Sequence, residues 1–153
     1  MIKVAVVSGA SYGIGEAISR ELLGKNFKVY GISRSVPKIS DSKFVWLKAD
    51  LLDQKQLDSI SKMVEEDSVD MLVNNAGTSF SESALEFKDE HFDTIFGLNF
   101  KAPIKLTLAL MRKLTGGLIV NVSSLADRFP DGLYGSSKAA LNNYLCVQVV
   151  LIV

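Results

Sequence analysis

Residues 8–15 read SGASYGIG, directly behind the apolar run MIKVAVV at the start of the chain. Gly9, Gly13 and Gly15 fall within seven residues, and glycine loses more conformational freedom on folding than any other residue. A stretch so unfavourable to order implies a tight turn with something held against its backbone. A strand-like run precedes it, and behind it Ile14, Ala17, Ile18, Leu22 and Leu23 recur at helical spacing. Strand, glycine turn and helix N-terminus in that order make a phosphate site. Gly9 takes the turn, Gly13 lets the backbone approach a pyrophosphate, and Gly15 lets the helix pack closely on the strand. The helix, beginning near Ile14, offers unpaired N–H groups and a positive dipole end, and Ser11 adds a hydroxyl donor. The plainer alternative is a glycine-rich turn with no ligand.

Working outward, four more apolar, β-branched runs follow: FKVYGIS (27–33), KFVWLKA (43–49), VDMLVNN (69–75) and GLIVNVS (117–123). Segments of helical period lie between them, at 14–25, 54–66, 89–114 and from 134 onward. Near-continuously apolar strands separated by helices predict a parallel sheet covered on both faces. With right-handed crossovers this is an α/β, doubly wound, Rossmann-like fold. No repeat or linker interrupts the chain, so a single domain over 1–153 is expected. Pro37 with Ser35, Ser40 and Ser42 marks one surface loop, and SFSES (79–83) marks another.

The 153 residues are 48% hydrophobic and 22% charged, with zero formal net charge. Such balance gives no electrostatic reason to expect nucleic acid or an anionic membrane as partner. One cysteine, Cys146, leaves no internal disulfide, and no leader or long apolar stretch is visible. The expectation is a cytoplasmic protein. With one histidine (His91, read as surface) and one cysteine, no metal site is expected.

The spacing G-x-x-x-G-x-G resembles the turn of the short-chain dehydrogenases/reductases. Further motifs stand in that family's order: NNAG (74–77), LNFKAP (98–103), IVNVSS (119–124) and YGSSK (134–138). The resemblance spans almost the whole chain. It implies a nicotinamide cofactor and hydride transfer between that cofactor and a carbonyl or alcohol.

A cofactor with a free ribose 2′-OH usually meets an acid at the end of the second strand. Here that strand ends GISRS (31–35), with Ser33 in the acid's place and Arg34 behind it. A guanidinium suits a 2′-phosphate, so NADP(H) is expected over NAD(H), unless Arg34 is an ordinary solvated arginine. Tyr12 stands where many NADP-preferring relatives carry a second basic residue. The resemblance places Asp50 and Leu51 near the adenine ring, with Asp50 alternatively a capping or loop carboxylate. It places Asn75, Ala76 and Gly77 along the ribose and adenine side.

For the chemistry, Tyr134 is the candidate acid/base. A free phenol titrates near pH 10, too high for a base at neutrality. Lys138 lies four residues on, on the same helical face, where its charge favours the phenolate. In the family this lysine also binds the nicotinamide ribose. Ser124 matches the residue that hydrogen-bonds the substrate oxygen, with Ser123 as the alternative because neighbours on a strand face opposite ways. Asn99 matches the asparagine that holds a proton-relay water. Alternatively it is a helix-interior asparagine bonded to backbone.

Two departures stand out. The Ser124–Tyr134 segment is shorter than the family's by about three residues. The family also continues past the YxxxK helix into further strands and a substrate loop, so strands one to five are expected here and the last strands are not. GLIVNVS would then be an apolar sheet edge. This favours an alternative function: a module that binds NADP(H) without turnover, or an inactive fragment. Relatives commonly pair through the two long helices, which makes a homo-oligomer through 89–114 and the helix after 134 an expectation.

Overall fold

The computed structural model describes residues 2–80, 87–114, 116–128 and 131–148, the last four in backbone only. Most of the SFSES loop and the side chain of Cys146 fall outside the described residues. The chain gathers into two compact units, Met1–Ala76 with Lys105–Val122, and Gly77–Ile104 with Ser123–Val153.

The first unit holds one sheet of five parallel strands: β1 (Val4–Ser8), β2 (Lys28–Ser33), β3 (Phe44–Lys48), β4 (Met71–Asn74) and β5 (Leu118–Asn121). Their order is β3-β2-β1-β4-β5, which is the doubly wound arrangement expected from the alternation of apolar runs with helical segments. β1 is the centre, and all five of its residues are buried. That burial on both faces is why the run VAVVS is continuous rather than alternating. Helices α1 (Gly13–Gly24) and α2 (Gln54–Met63) connect the early strands. Leu22 and Leu23 of α1 pack with Ala5, Val7, Val29 and Val73 into the sheet's core. α2 starts where Asp53 accepts from the amides of Lys55 and Gln56, and Gln56 Nε2 donates to Asp53 Oδ2 at 2.9 Å.

β5 differs from β1. Leu118 is exposed and the other three residues are only half-buried. Among the described residues it pairs on one side alone, with β4.

The second unit is helical. It contains α3 (Asp89–Phe96), a wider π turn over Gly97–Lys101, a 3-10 turn over Leu125–Arg128, and α5 (Gly132–Gln148). α4 (Ala102–Leu110) continues from the π turn, so the segment expected as one helix over 89–114 is helical to Leu110 with a widened turn in its middle. The period of the sequence carries on through one inserted residue, and so it cannot announce a π turn. Two smaller readings change. Pro37 is buried although its loop is exposed. His91 lies inside α3, half-buried, stacked on Phe80 at 4.1 Å between ring centroids.

Candidate functional site

In the first unit the strand order reverses between β1 and β4, and a ligand crevice in this fold lies at the carboxyl ends of such strands. Both strands end there in loops that one side chain ties together. The hydroxyl of Ser8, itself buried, donates to Val73 O. It also accepts from Asn75 N at 2.9 Å and Ala76 N at 3.0 Å. The side chain of Asn75 answers by donating to Ser8 O at 2.9 Å and Gly9 O at 3.4 Å.

The turn itself needs its glycines for two reasons. Gly9 has φ +70°, and a Cβ there would come within 2.8 Å of Asn75 Nδ2. At Gly15 a Cβ would collide with the carbonyl oxygen of Gly9, so the helix meets the turn backbone to backbone. Gly13, by contrast, faces open space. The extended N-cap residue of α1, Tyr12, makes no side-chain cap bond, so the first-turn amides have none of the usual hydroxyl or carboxylate acceptors from within the helix. Tyr12 and Ile14 are exposed and Ser11 is half-buried. An open glycine, an uncapped helix start and a fastened strand end fit a pyrophosphate.

At the end of β2, Ser33 is buried and Arg34 exposed. The Ser33 hydroxyl donates to Ser35 O at 2.7 Å and accepts from Trp46 Nε1 at 3.0 Å. Asp50 follows the loop-carboxylate alternative in part, since its Oδ1 accepts from Leu52 N at 3.0 Å. Leu51 is buried, 9% exposed.

The second unit brings together Asn99, Ser137, Tyr134 and Lys138. Asn99 sits in the π turn, fully buried. Its Oδ1 accepts from Thr78 N at 2.8 Å, while its Nδ2 donates to Thr78 O at 2.9 Å and to Ser137 Oγ at 3.0 Å. Ser137 Oγ donates on to the carbonyl of Tyr134 at 2.7 Å. Both amide hydrogens of Asn99 are thus engaged: the side chain is bonded to backbone, as one of the two sequence alternatives has it, and is also linked to α5. Lys138 is buried, and desolvation holds its ammonium below the ordinary lysine range. Its Nζ lies 5.8 Å from the centroid of the Tyr134 ring. A Cβ placed on Gly77 would stand 3.2 Å from Asn99 Oδ1 and 3.5 Å from Lys138 Nζ.

The two serines differ in what they do. Ser123 Oγ accepts from Asn142 Nδ2 at 2.6 Å, and the same Nδ2 donates to Asp127 Oδ2 at 2.6 Å. Ser124 Oγ accepts from Ala126 N at 3.2 Å and so caps the 3-10 turn. A hydroxyl that already accepts keeps its hydrogen for donation.

Sequence reasoning missed Ser8, Ser137 and Gly135. At Gly135 a Cβ would collide with the carbonyl oxygen of Ala126, so the close approach of α5 to the 3-10 turn at that point requires a glycine. A small polar residue closing an apolar strand, and a serine just before the lysine, were the signals available. Among the described residues no group of three or more His, Cys, Asp or Glu is placed to hold a metal. No described helix is long and apolar enough to cross a membrane.

With that geometry in view, the chain belongs to the short chain dehydrogenase family, whose sequence profile matches residues 3–147. It is 31% identical to an oxidoreductase of Staphylococcus epidermidis, over 92% of this chain and 67% of that protein. A short-chain dehydrogenase from Streptomyces avermitilis superposes with a TM-score of 0.90 at 27% identity, covering 99% of this chain and 62% of the other. A metagenomic short-chain oxidoreductase in complex with NADP superposes at 0.85, with 30% identity over 95% of this chain and 74% of the other. The chain spans about 55–68% of the length of curated relatives it matches.

Proposed function

We propose that this chain acts as an NADP(H)-dependent oxidoreductase on a carbonyl or alcohol. The observation that carries the reading is the buried cluster of the second unit. It couples Asn99, through Ser137, to the turn of α5 that holds Tyr134, with the buried Lys138 beside the Tyr134 ring. A fully buried lysine without a role is rare, and perturbed titratable groups concentrate at working sites.

The bound nicotinamide supplies or accepts the hydride. The chain's own residues do the rest. Tyr134 gives a proton to the substrate oxygen in reduction and takes it back in oxidation. Ser124 donates its remaining hydrogen to the same oxygen and polarises the carbonyl. The positive charge of Lys138 stabilises negative charge on the Tyr134 oxygen and holds ribose. Asn99 positions α5 and supports a proton relay.

In the first unit, Gly9, Ser11, Tyr12, Gly13, Ile14 and Gly15 would hold the pyrophosphate, and Asn75, Ala76, Gly77, Asp50 and Leu51 the nucleoside side. A β2 end without a carboxylate and with an exposed Arg34 favours the 2′-phosphate of NADP(H). The relative holding NADP supports the same choice. The same reading has the protein cytoplasmic and pairing with a second copy through the helical segment 89–114 and α5. There Phe92 stacks on Phe96 at 4.5 Å, and Phe100 meets Tyr144 edge-on at 5.9 Å, with Phe92 and Tyr144 still exposed.

Tyr134→Phe tests the chemistry. Oxidation of NADPH across a carbonyl panel should fall by about 10²- to 10⁴-fold, with the Kd for NADPH within about twofold. Wild-type protein that binds NADPH and turns over none of the panel would instead identify a cofactor-binding module.

A further inference from the structure

We propose that Trp46 is a positioning residue for cofactor choice, its indole N–H holding the Ser33–Ser35 turn in the form from which Arg34 takes a 2′-phosphate. The inference rests on the NADP(H) reading of Arg34. Trp46 is the only tryptophan of the chain. It lies on β3 opposite Gly31 of β2, and cross-strand partners share a face of the sheet. Ser33, two residues beyond Gly31, returns to that face. Trp46 Nε1 therefore reaches along the strand to Ser33, lying 3.0 Å from its Oγ and 3.3 Å from its carbonyl oxygen.

Ser33 stands where a 2′-OH-binding acid would be, yet its hydroxyl is turned to other uses. Its hydrogen goes to Ser35 O at 2.7 Å, which closes the turn across Arg34, and it accepts the indole N–H. Its carbonyl accepts from Ala49 N at 3.2 Å. Ser33 is 7% exposed. The residue before Arg34 is thus fixed from three directions, while the arginine itself is exposed.

A long side chain that must be ordered on binding subtracts from affinity. Fixing the turn beneath it removes part of that cost. The benefit goes only to a ligand that uses the guanidinium. NADPH does, through its 2′-phosphate, and NADH does not. A Trp46 that merely fills space or satisfies its own N–H would affect both cofactors alike.

The test is calorimetric titration of the chain with NADPH and with NADH, for wild type, Trp46→Phe and Ser33→Ala. Phenylalanine keeps the ring and loses the N–H. Alanine keeps the tryptophan and loses the bridge to Ser35. We expect each variant to raise the Kd for NADPH about five- to tenfold, the scale of ordering one long side chain, and that for NADH less than about twofold. Parallel weakening of both cofactors, or no change in either, would overturn the assignment. Should Trp46→Phe fail to fold, Ser33→Ala decides by the same ratio. Equal wild-type affinities for the two cofactors would overturn the NADP(H) reading itself, and the role of Trp46 with it.

Discussion

Ser8 and Asn99 do related work in the two units, and the contrast between them shows how each unit is held. Both are buried polar side chains with their hydrogen-bonding capacity largely used. Ser8 bonds only main-chain groups, Val73 O and the amides of Asn75 and Ala76. It fixes a shape. Asn99 clasps the main chain of Thr78 on one side, and on the other it reaches Ser137, which reaches the carbonyl of Tyr134. It fixes the turn of α5 that carries Tyr134. The glycine turn of the first unit is thus an arrangement of backbone. The Asn99 cluster of the second unit is a relay from one side chain to the next and on to a main-chain carbonyl.

The largest effect should come from attacking the backbone half where nothing can yield. Gly15→Ala forces a methyl group onto the carbonyl of Gly9 and within 2.5 Å of Asn75 Nδ2. Overpacking against main chain should destabilise by about 3 kcal/mol. In a chain of this size that lowers the melting temperature by about 6–12 °C, and NADPH binding should be lost with it. A variant that melted and bound like wild type would mean that the helix and turn can separate, and the glycine turn would no longer be a rigid backbone device.

The next pair sharpens the contrast directly. Ser8→Ala and Asn99→Ala each leave buried amides or carbonyls unpaired and should each cost about 2 kcal/mol, read from urea midpoints. Their functional consequences should part. Ser8→Ala should raise the Kd for NADPH about tenfold and change kcat less than about threefold, because it loosens shape alone. Asn99→Ala should lower kcat about tenfold or more with the Kd for NADPH nearly unchanged, because Tyr134 loses its support. If both variants moved the same parameter, the division between shape and reacting group would fail.

The same contrast explains what could be read from the sequence. The five apolar runs, the glycine turn and Y-x-x-x-K are local patterns whose period or spacing is visible in a short window, and the sheet and its helices follow from them. What stayed hidden depends on partners far along the chain. Ser8 meets Asn75 and Ala76 at separations of 67 and 68 residues, and Asn99 meets Ser137 at 38. A serine at a strand end and a serine beside a lysine carry no mark of such partners. Trp46 read only as a strand residue for the same reason. The π turn escaped because an inserted residue leaves the apolar pattern on either side intact. Asn99 itself was legible by resemblance and its bond to backbone was one of its two readings, but its link to Ser137 was not legible.

The smallest effect separates the units by the direction in which each shifts a lysine's titration. In the first unit Lys28 bonds Glu66 at 2.6 Å, and that hydrogen bond raises its pKa above the ordinary 10.5. Its contribution to stability is full below 10.5 and is lost only as pH climbs through the higher folded value. Between pH 7 and 10 it is therefore constant. In the second unit burial lowers the pKa of Lys138. The unfolded chain then binds more protons than the folded one between the lowered value and 10.5. Stability from this group must rise with pH through that window, and below the window the penalty for burying the charge is complete. Lys138→Met removes the titrating group and keeps the chain length. Urea midpoints of wild type and variant, measured from pH 7 to pH 10, should converge as pH rises, with the variant ahead at the acid end. Parallel profiles would mean that the ammonium is not desolvated in solution. The second unit would then lack the buried charge that sets it apart from the first.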